Sequence, residues 1–272
     1  MGTSGPPIEQ LKNNMKSAWM AGDFGQIAKY NAAEGEWFIE RLNLRAGSDV
    51  LDVACGTGNL AIPAARKGAK VTGVDIATNL LEQARARAAA ERLTADFREG
   101  DAEALPFPDG QFDAVVSMYG AMFAPRPALV AAELTRVCRA NGLVAMANWT
   151  PSGFVGKNFA INAKYLPPPE GLEPPVWWGK EDLVKERFAK VGWKAETTPR
   201  YLEFAFPFPA AEVVQFFREY FGPTKVAFSR LDAAGQEALR ADLEKLWSDH
   251  NEGPPNEIHV KAEYLEVRAR KA

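Results

Sequence analysis

VLDVACGTGNL, residues 50–60, is an apolar run broken by one acid, Asp52, and opening into a glycine turn. Read one residue further, Gly56 to Ala61 (GTGNLA) fits the G-x-G-x-x-G/A pattern of nucleotide-binding turns. Glycine there permits backbone conformations and close approaches that other residues resist. The glycines alone do not select a ligand. The acid ahead of them and the segments that follow narrow the choice.

Working outward, a rhythm appears. SDVLDVAC is apolar enough for a buried parallel strand. NLAIPAARKG reads as a helix ended by Gly68, KVTGVD as a second strand, and TNLLEQARARAAAERL as a helix with Thr78 as its cap. ADFREGD is a short third strand, closed by Asp101, and FDAVVSMYG, after the turn PFPDG, a fourth. ALVAAELTRVCRA reads as a helix that includes Cys138, and GLVAMANW as a fifth strand. Strand alternating with helix predicts an α/β, doubly wound parallel sheet.

Before this core, residues 1–44 form a polar tail and then a helical stretch broken near Gly22-Asp23, with Trp19, Phe24, Ile27, Tyr30, Trp37 and Phe38 giving an aromatic face. After the core (45–150), residues 151–272 belong to the same domain and carry insertions at about 151–180 and 209–255. The first insertion is rich in Pro, Gly and aromatics (PPPEGLEPPVWWG) and the second is helical. WKAETTPRYLEFAF and IHVKAEYLEVRAR read as two late strands around that helical insertion.

The chain has 272 residues, 47% apolar and 25% charged, with net charge −3. That balance lacks the basic footprint of a nucleic-acid binder. Cys55 and Cys138 have no metal-ligand spacing and read as reduced thiols, so no metal is expected and the expected compartment is the cytoplasm. No apolar run is long enough to span a membrane, and the N-terminus has no signal-peptide pattern.

Three acids fall at carboxyl ends of successive strands, the edge where open α/β sheets bind ligands. Asp52, at the mouth of the first, would repel a pyrophosphate and attract a cationic group. The alternative is a buried acid satisfied by loop amides. Asp75 ends the second strand about 20 residues beyond the turn, a place suited to ribose hydroxyls. Ile76 follows it and could lie against an adenine face. Asp101, with Ala102 next, can accept from an adenine amino group.

VLDVACGTGNLA, VTGVDIATNLLEQAR, EGDAEALPFPDGQFDAVVSMYGAMF and LTRVCRANGLVAMANW occur here in that order and cover about 45–150. In these the sequence resembles the class I S-adenosylmethionine-dependent methyltransferases, and within them is similar to the ubiquinone and menaquinone C-methyltransferases. The resemblance implies a Rossmann-like seven-stranded sheet of order 3-2-1-4-5-7-6 with the last strand antiparallel. It implies that Ala54, Gly56 and Gly58 cradle the methionine part and that Asp75 holds the ribose. Ile76 would pack on adenine, Asp101 and Ala102 would read its edge, Ser117 would lie near the sulfonium, and Tyr30 would cover the cofactor. S-adenosylhomocysteine would be the product.

Methyl transfer from a sulfonium needs alignment and exclusion of water rather than a protein nucleophile. For a general base, His250 and Tyr119 are the candidates; a lone His is more often an ordinary surface or core residue, and Tyr119 reads as well as a packed aromatic. SMYG replaces the Asn/Asp-Pro-Pro-aromatic tetrad of enzymes that methylate exocyclic amines of bases. The aromatics Phe123, Trp149, Phe154, Phe159, Trp177 and Trp178 predict a small, partly apolar acceptor. Other readings are non-methyl chemistry with the same cofactor, such as cyclisation, a NAD(P)-binding oxidoreductase, and a non-catalytic binder. The acceptor, the atom methylated and the oligomeric state are left open.

Overall fold

The computed structural model describes residues 7–272, so the tail expected over the first residues lies outside the described residues apart from Pro7. Helix α1 (Ile8–Met20) stops at the expected break, and α2 (Phe24–Ala28) begins after Asp23, whose side chain accepts from the Gly25 amide as a cap. A 3-10 turn, Lys29–Asn31, leads into α3 (Ala32–Leu42). The core then alternates as β1 (Asp49–Val53), α4 (Ala61–Arg66), β2 (Lys70–Asp75), α5 (Thr78–Ala90), β3 (Ala95–Glu99) and β4 (Phe112–Met118). It continues with α6 (Pro127–Val137) and β5 (Cys138–Trp149).

The remainder is α7 (Phe154–Tyr165), a 3-10 turn at Pro175–Gly179, α8 (Glu181–Lys190) and β6 (Trp193–Phe206). Helices α9 (Ala210–Tyr220), α10 (Gly222–Ser229) and α11 (Ala233–Asp249) precede β7 (Ile258–Lys271). The sheet order is β3-β2-β1-β4-β5-β7-β6, and β7 runs antiparallel to both neighbours, as the resemblance implied. Val50, Leu51 and Val53 on β1, and Val115 and Val116 on β4, are fully or almost fully buried, which is why these strands are continuous apolar runs. Among the described residues, no helix is long and apolar enough to cross a membrane.

Four local readings are corrected. Thr78 is the first residue of α5 rather than its cap; the turn before it is held by Asp75, whose carboxylate accepts from the Ala77 amide at 2.8 Å. Cys138 opens β5 instead of closing α6, because the chain passes from helix to strand with no intervening loop. Strand β3 ends at Glu99, and Asp101 lies beyond it, in a bridge with Ala104. The segment 151–180 contains a full helix, α7, that its Pro-rich second half concealed.

Candidate active site

The carboxyl ends of β1, β2 and β4 meet at one edge because the three strands pair in register, Asp52 lying opposite Gly73 and Val116. One cavity opens there, lined by Asp52, Ala54, Gly56, Asp75 and Ile76 from this edge. Asp101, Ala102 and Tyr119 of the expected site also line it. Two residues of its wall, Ala54 (φ +55°) and Tyr119 (φ +54°), sit in the left-handed region. Each costs roughly 1–3 kcal/mol for a residue with a Cβ. Gly120 lets these turns meet: a Cβ there would lie 2.6 Å from the Ala54 carbonyl oxygen. Gly56 itself is at φ +51°, the conformation that glycine tolerates.

The acids are held by backbone amides. Asp52 is 2% exposed and accepts from the Ala61 amide at 3.0 Å. Burial pushes its carboxyl up to about 8, with the Ala61 amide opposing and the nearby Asp75 adding to the shift. Asp75 accepts from the Gly56 and Ala77 amides, both at 2.8 Å, so it also fixes the glycine turn. Burial raises its pKa, against the pull of those amides. Asp101 accepts from the Glu103 amide at 2.8 Å and from Lys12 of α1 at 2.5 Å. Lys12 also meets Glu103 at 2.6 Å.

Tyr119 stacks on Trp149, with ring centroids 3.8 Å apart and planes 10° from parallel. Its hydroxyl is buried with no hydrogen-bond partner. Burial holds its pKa well above the usual tyrosine range, reinforced by Tyr264 and Glu34, so it keeps its proton.

Four expected residues lie off the cavity wall. Gly58 (φ +84°) makes room for packing, since a Cβ would meet Ile62 at 3.3 Å and Ala84 at 3.5 Å. Ser117 is 1% exposed; it donates to the Val53 carbonyl at 2.7 Å and accepts from the Ala121 amide at 3.0 Å, tying β1 to the turn after β4. Tyr30 packs on Phe206, with centroids 4.5 Å apart, as a core aromatic. His250 sits behind the wall, its ring nitrogens facing Lys157 Nζ and the Leu246 carbonyl, both at 2.9 Å. Trp177 and Trp178 also lie elsewhere, whereas Phe123, Trp149, Phe154 and Phe159 line the cavity.

The sequence reading missed Lys12, Met15 and Thr57, and the aromatics Phe204, Phe217 and Trp247 on the far wall. The alternation of Phe204 and Phe206 in β6 was a usable signal for a buried face. Nothing local marks Lys12, which reaches Asp101 across 89 residues of chain. The group as a whole fits a ligand with a cationic centre, ribose hydroxyls and an amino-bearing ring. It offers acceptor oxygens at three places and keeps Lys12, the one cation lining the cavity among the described residues, paired with acids.

Residues 50–142 match a family described as "Methyltransferase domain". The "Uncharacterized protein Rv1403c" of Mycobacterium tuberculosis (strain ATCC 25618 / H37Rv) is 47% identical over 175 residues, covering 64% of this chain and 64% of that protein. The chain thus spans less than two thirds of that relative's length. The "Uncharacterized protein Rv1405c" of the same strain is 35% identical over 239 residues, covering 87% of this chain and 86% of the relative. Among solved structures, the [4+2]-cyclase SpnF has the same fold, with a TM-score of 0.62 and 21% identity over 100% of this chain and 99% of its own.

Proposed function

We propose that this chain, which belongs to the class I S-adenosylmethionine-dependent methyltransferases, methylates a small, partly apolar organic acceptor in the cytoplasm. The observation that carries the reading is a single cavity with Asp52, Asp75 and Asp101 around one part and aromatic side chains around the rest. When bound, the cofactor supplies a methyl group already activated on a sulfonium. Ala54 and Gly56 are positioned to hold its methionine part, and Asp52 to offer charge to the cationic centre. Asp75 retains a free lone pair on each oxygen for ribose hydroxyls. Ile76 and Ala102 offer apolar contact to adenine, and Asp101 an acceptor to its amino group.

The chain's own contribution is then alignment and dryness. Holding two reactants in line is worth on the order of 7–11 kcal/mol, which removes the need for a protein nucleophile. Tyr119 keeps its proton and so does not take one from the acceptor; its ring, stacked on Trp149, supplies apolar wall. The two cysteines, both buried and free, suit a reducing compartment. Net charge −3 favours a small molecule over nucleic acid as partner.

The test is incubation with methyl-labelled S-adenosylmethionine and a small-molecule extract of cells. Label entering an organic-soluble product, matched by S-adenosylhomocysteine release, supports methyl transfer. Conversion of an extract component with the label left in S-adenosylmethionine would instead indicate non-methyl chemistry on the same cofactor.

A further inference from the structure

The sheet order separates the cavity into two ends. Asp52, Asp75 and Asp101 come from β1, β2 and the segment after β3, on one side of the switch between β1 and β4. On the other side the wall is built from β5, β6, α7 and α9–α11. Here Phe123 meets Trp19 at 5.2 Å and Phe159 at 5.9 Å between ring centroids. Phe154 meets Trp247 at 4.4 Å. The polar side chains of this end are Asn158 and Thr224. Among the described residues it holds no charged side chain; the cavity's cation, Lys12, stands at the other end between Asp101 and Glu103.

We propose that the acceptor is an uncharged, ring-bearing apolar molecule, held in this aromatic end without any ionic anchor. The inference rests on the methyltransferase reading and names its substrate class. A phosphate or carboxylate placed here would meet no cation, and a buried unpaired charge is among the costliest things a protein can hold. An ammonium fares no better. Each aromatic face returns about 0.5–2 kcal/mol, against several kcal/mol of desolvation with no carboxylate at hand. A neutral ring loses nothing on leaving water. Aromatic pairs add about 0.5–1.5 kcal/mol each beyond the area they bury.

The experiment is calorimetric titration of the full chain, with and without saturating S-adenosylhomocysteine, by three probes of one shape. They are naphthol, naphthyl phosphate and naphthylmethylamine. Naphthol is expected to bind at least about tenfold more tightly than either charged probe. Phe159→Ala is expected to weaken naphthol and leave S-adenosylhomocysteine affinity unchanged. Equal or tighter binding of the phosphate or the amine, or no naphthol binding by protein that does bind S-adenosylhomocysteine, would overturn the proposal. Failure of S-adenosylhomocysteine itself to bind would overturn the methyltransferase reading instead, and the ranking of the probes on the free protein still decides the charge question.

Discussion

Asp52→Asn separates the cost of burying this acid from its use. The side chain is 2% exposed with one amide bond at 3.0 Å, and its carboxyl is pushed up to about 8 from 3.8. In the folded protein it therefore stays protonated where the unfolded chain has already ionised. The contribution of such a group is present below about pH 4 and is lost as pH rises through about 8, by roughly 1.4 kcal/mol per pH unit. Asn carries no proton to lose and can still accept from the Ala61 amide. The variant's stability relative to wild type should thus climb by several kcal/mol, to order of magnitude, between about pH 4 and pH 8. Binding should move the other way. At about pH 7, ionising Asp52 costs roughly 1.4 kcal/mol. A cation about 5 Å away at an effective dielectric of about 20 returns about 3 kcal/mol. The attraction wins, so S-adenosylmethionine should bind with release of a proton and gain up to about tenfold in affinity per pH unit below about pH 8. Titration calorimetry in two buffers of different ionisation enthalpy reads both quantities. Wild-type affinity and proton release identical to those of Asp52→Asn across this range would refute the reasoning.

Three further outcomes follow from the geometry. Gly120→Ala drives a Cβ to 2.6 Å from the Ala54 carbonyl and 2.7 Å from its Cβ, so the turn must shift; S-adenosylhomocysteine affinity, by calorimetry, should fall by at least about tenfold. Tyr119→Phe deletes a buried hydroxyl that has no partner, so melting temperature should hold or rise, since such an orphan costs about 1–3 kcal/mol. Its turnover should be unaltered, because the hydroxyl is sealed from the cavity; a large loss with intact folding would place it against the acceptor. His250→Gln should leave S-adenosylhomocysteine affinity and turnover unaltered, because the ring faces Lys157 and a helix carbonyl behind the wall. A large loss of turnover with intact folding would return it to the list of proton carriers.

The strand–helix alternation of the core was legible because each decision was local, whereas the sheet order came only with the family resemblance. VLDV and KVTGVD are short apolar runs capped by an acid, and the helices between them end at recognisable stops such as Gly68 (φ +81°). The acids at the cavity were legible for the same reason: Asp52 is the last but one residue of β1, Asp75 closes β2, and Asp101 lies two residues past β3. What failed depended on neighbours in space. Ser117 stands where a ligand contact was expected, yet its hydroxyl is spent on Val53 and Ala121. Tyr30 has the right chemistry for a cover and packs on Phe206 instead. The helix at Phe154–Tyr165 was hidden because it starts without a side-chain cap and contains Gly156, then runs into a proline cluster. Lys12 became meaningful only once α1 docked beside Asp101.

The central claim is that this edge binds S-adenosylmethionine and its product and not a dinucleotide. Thermal unfolding with S-adenosylmethionine, S-adenosylhomocysteine or NAD, each at about a hundredfold excess over the dissociation constant of a binding ligand, tests it directly. A ligand of the folded state adds about 2.7 kcal/mol under those conditions, several degrees for a protein of this size at roughly 2–4 °C per kcal/mol. Such a rise with the first two and none with NAD is the predicted result. A rise with NAD alone would mean that Asp52 does not exclude a pyrophosphate, and the methyltransferase assignment of this site would fall.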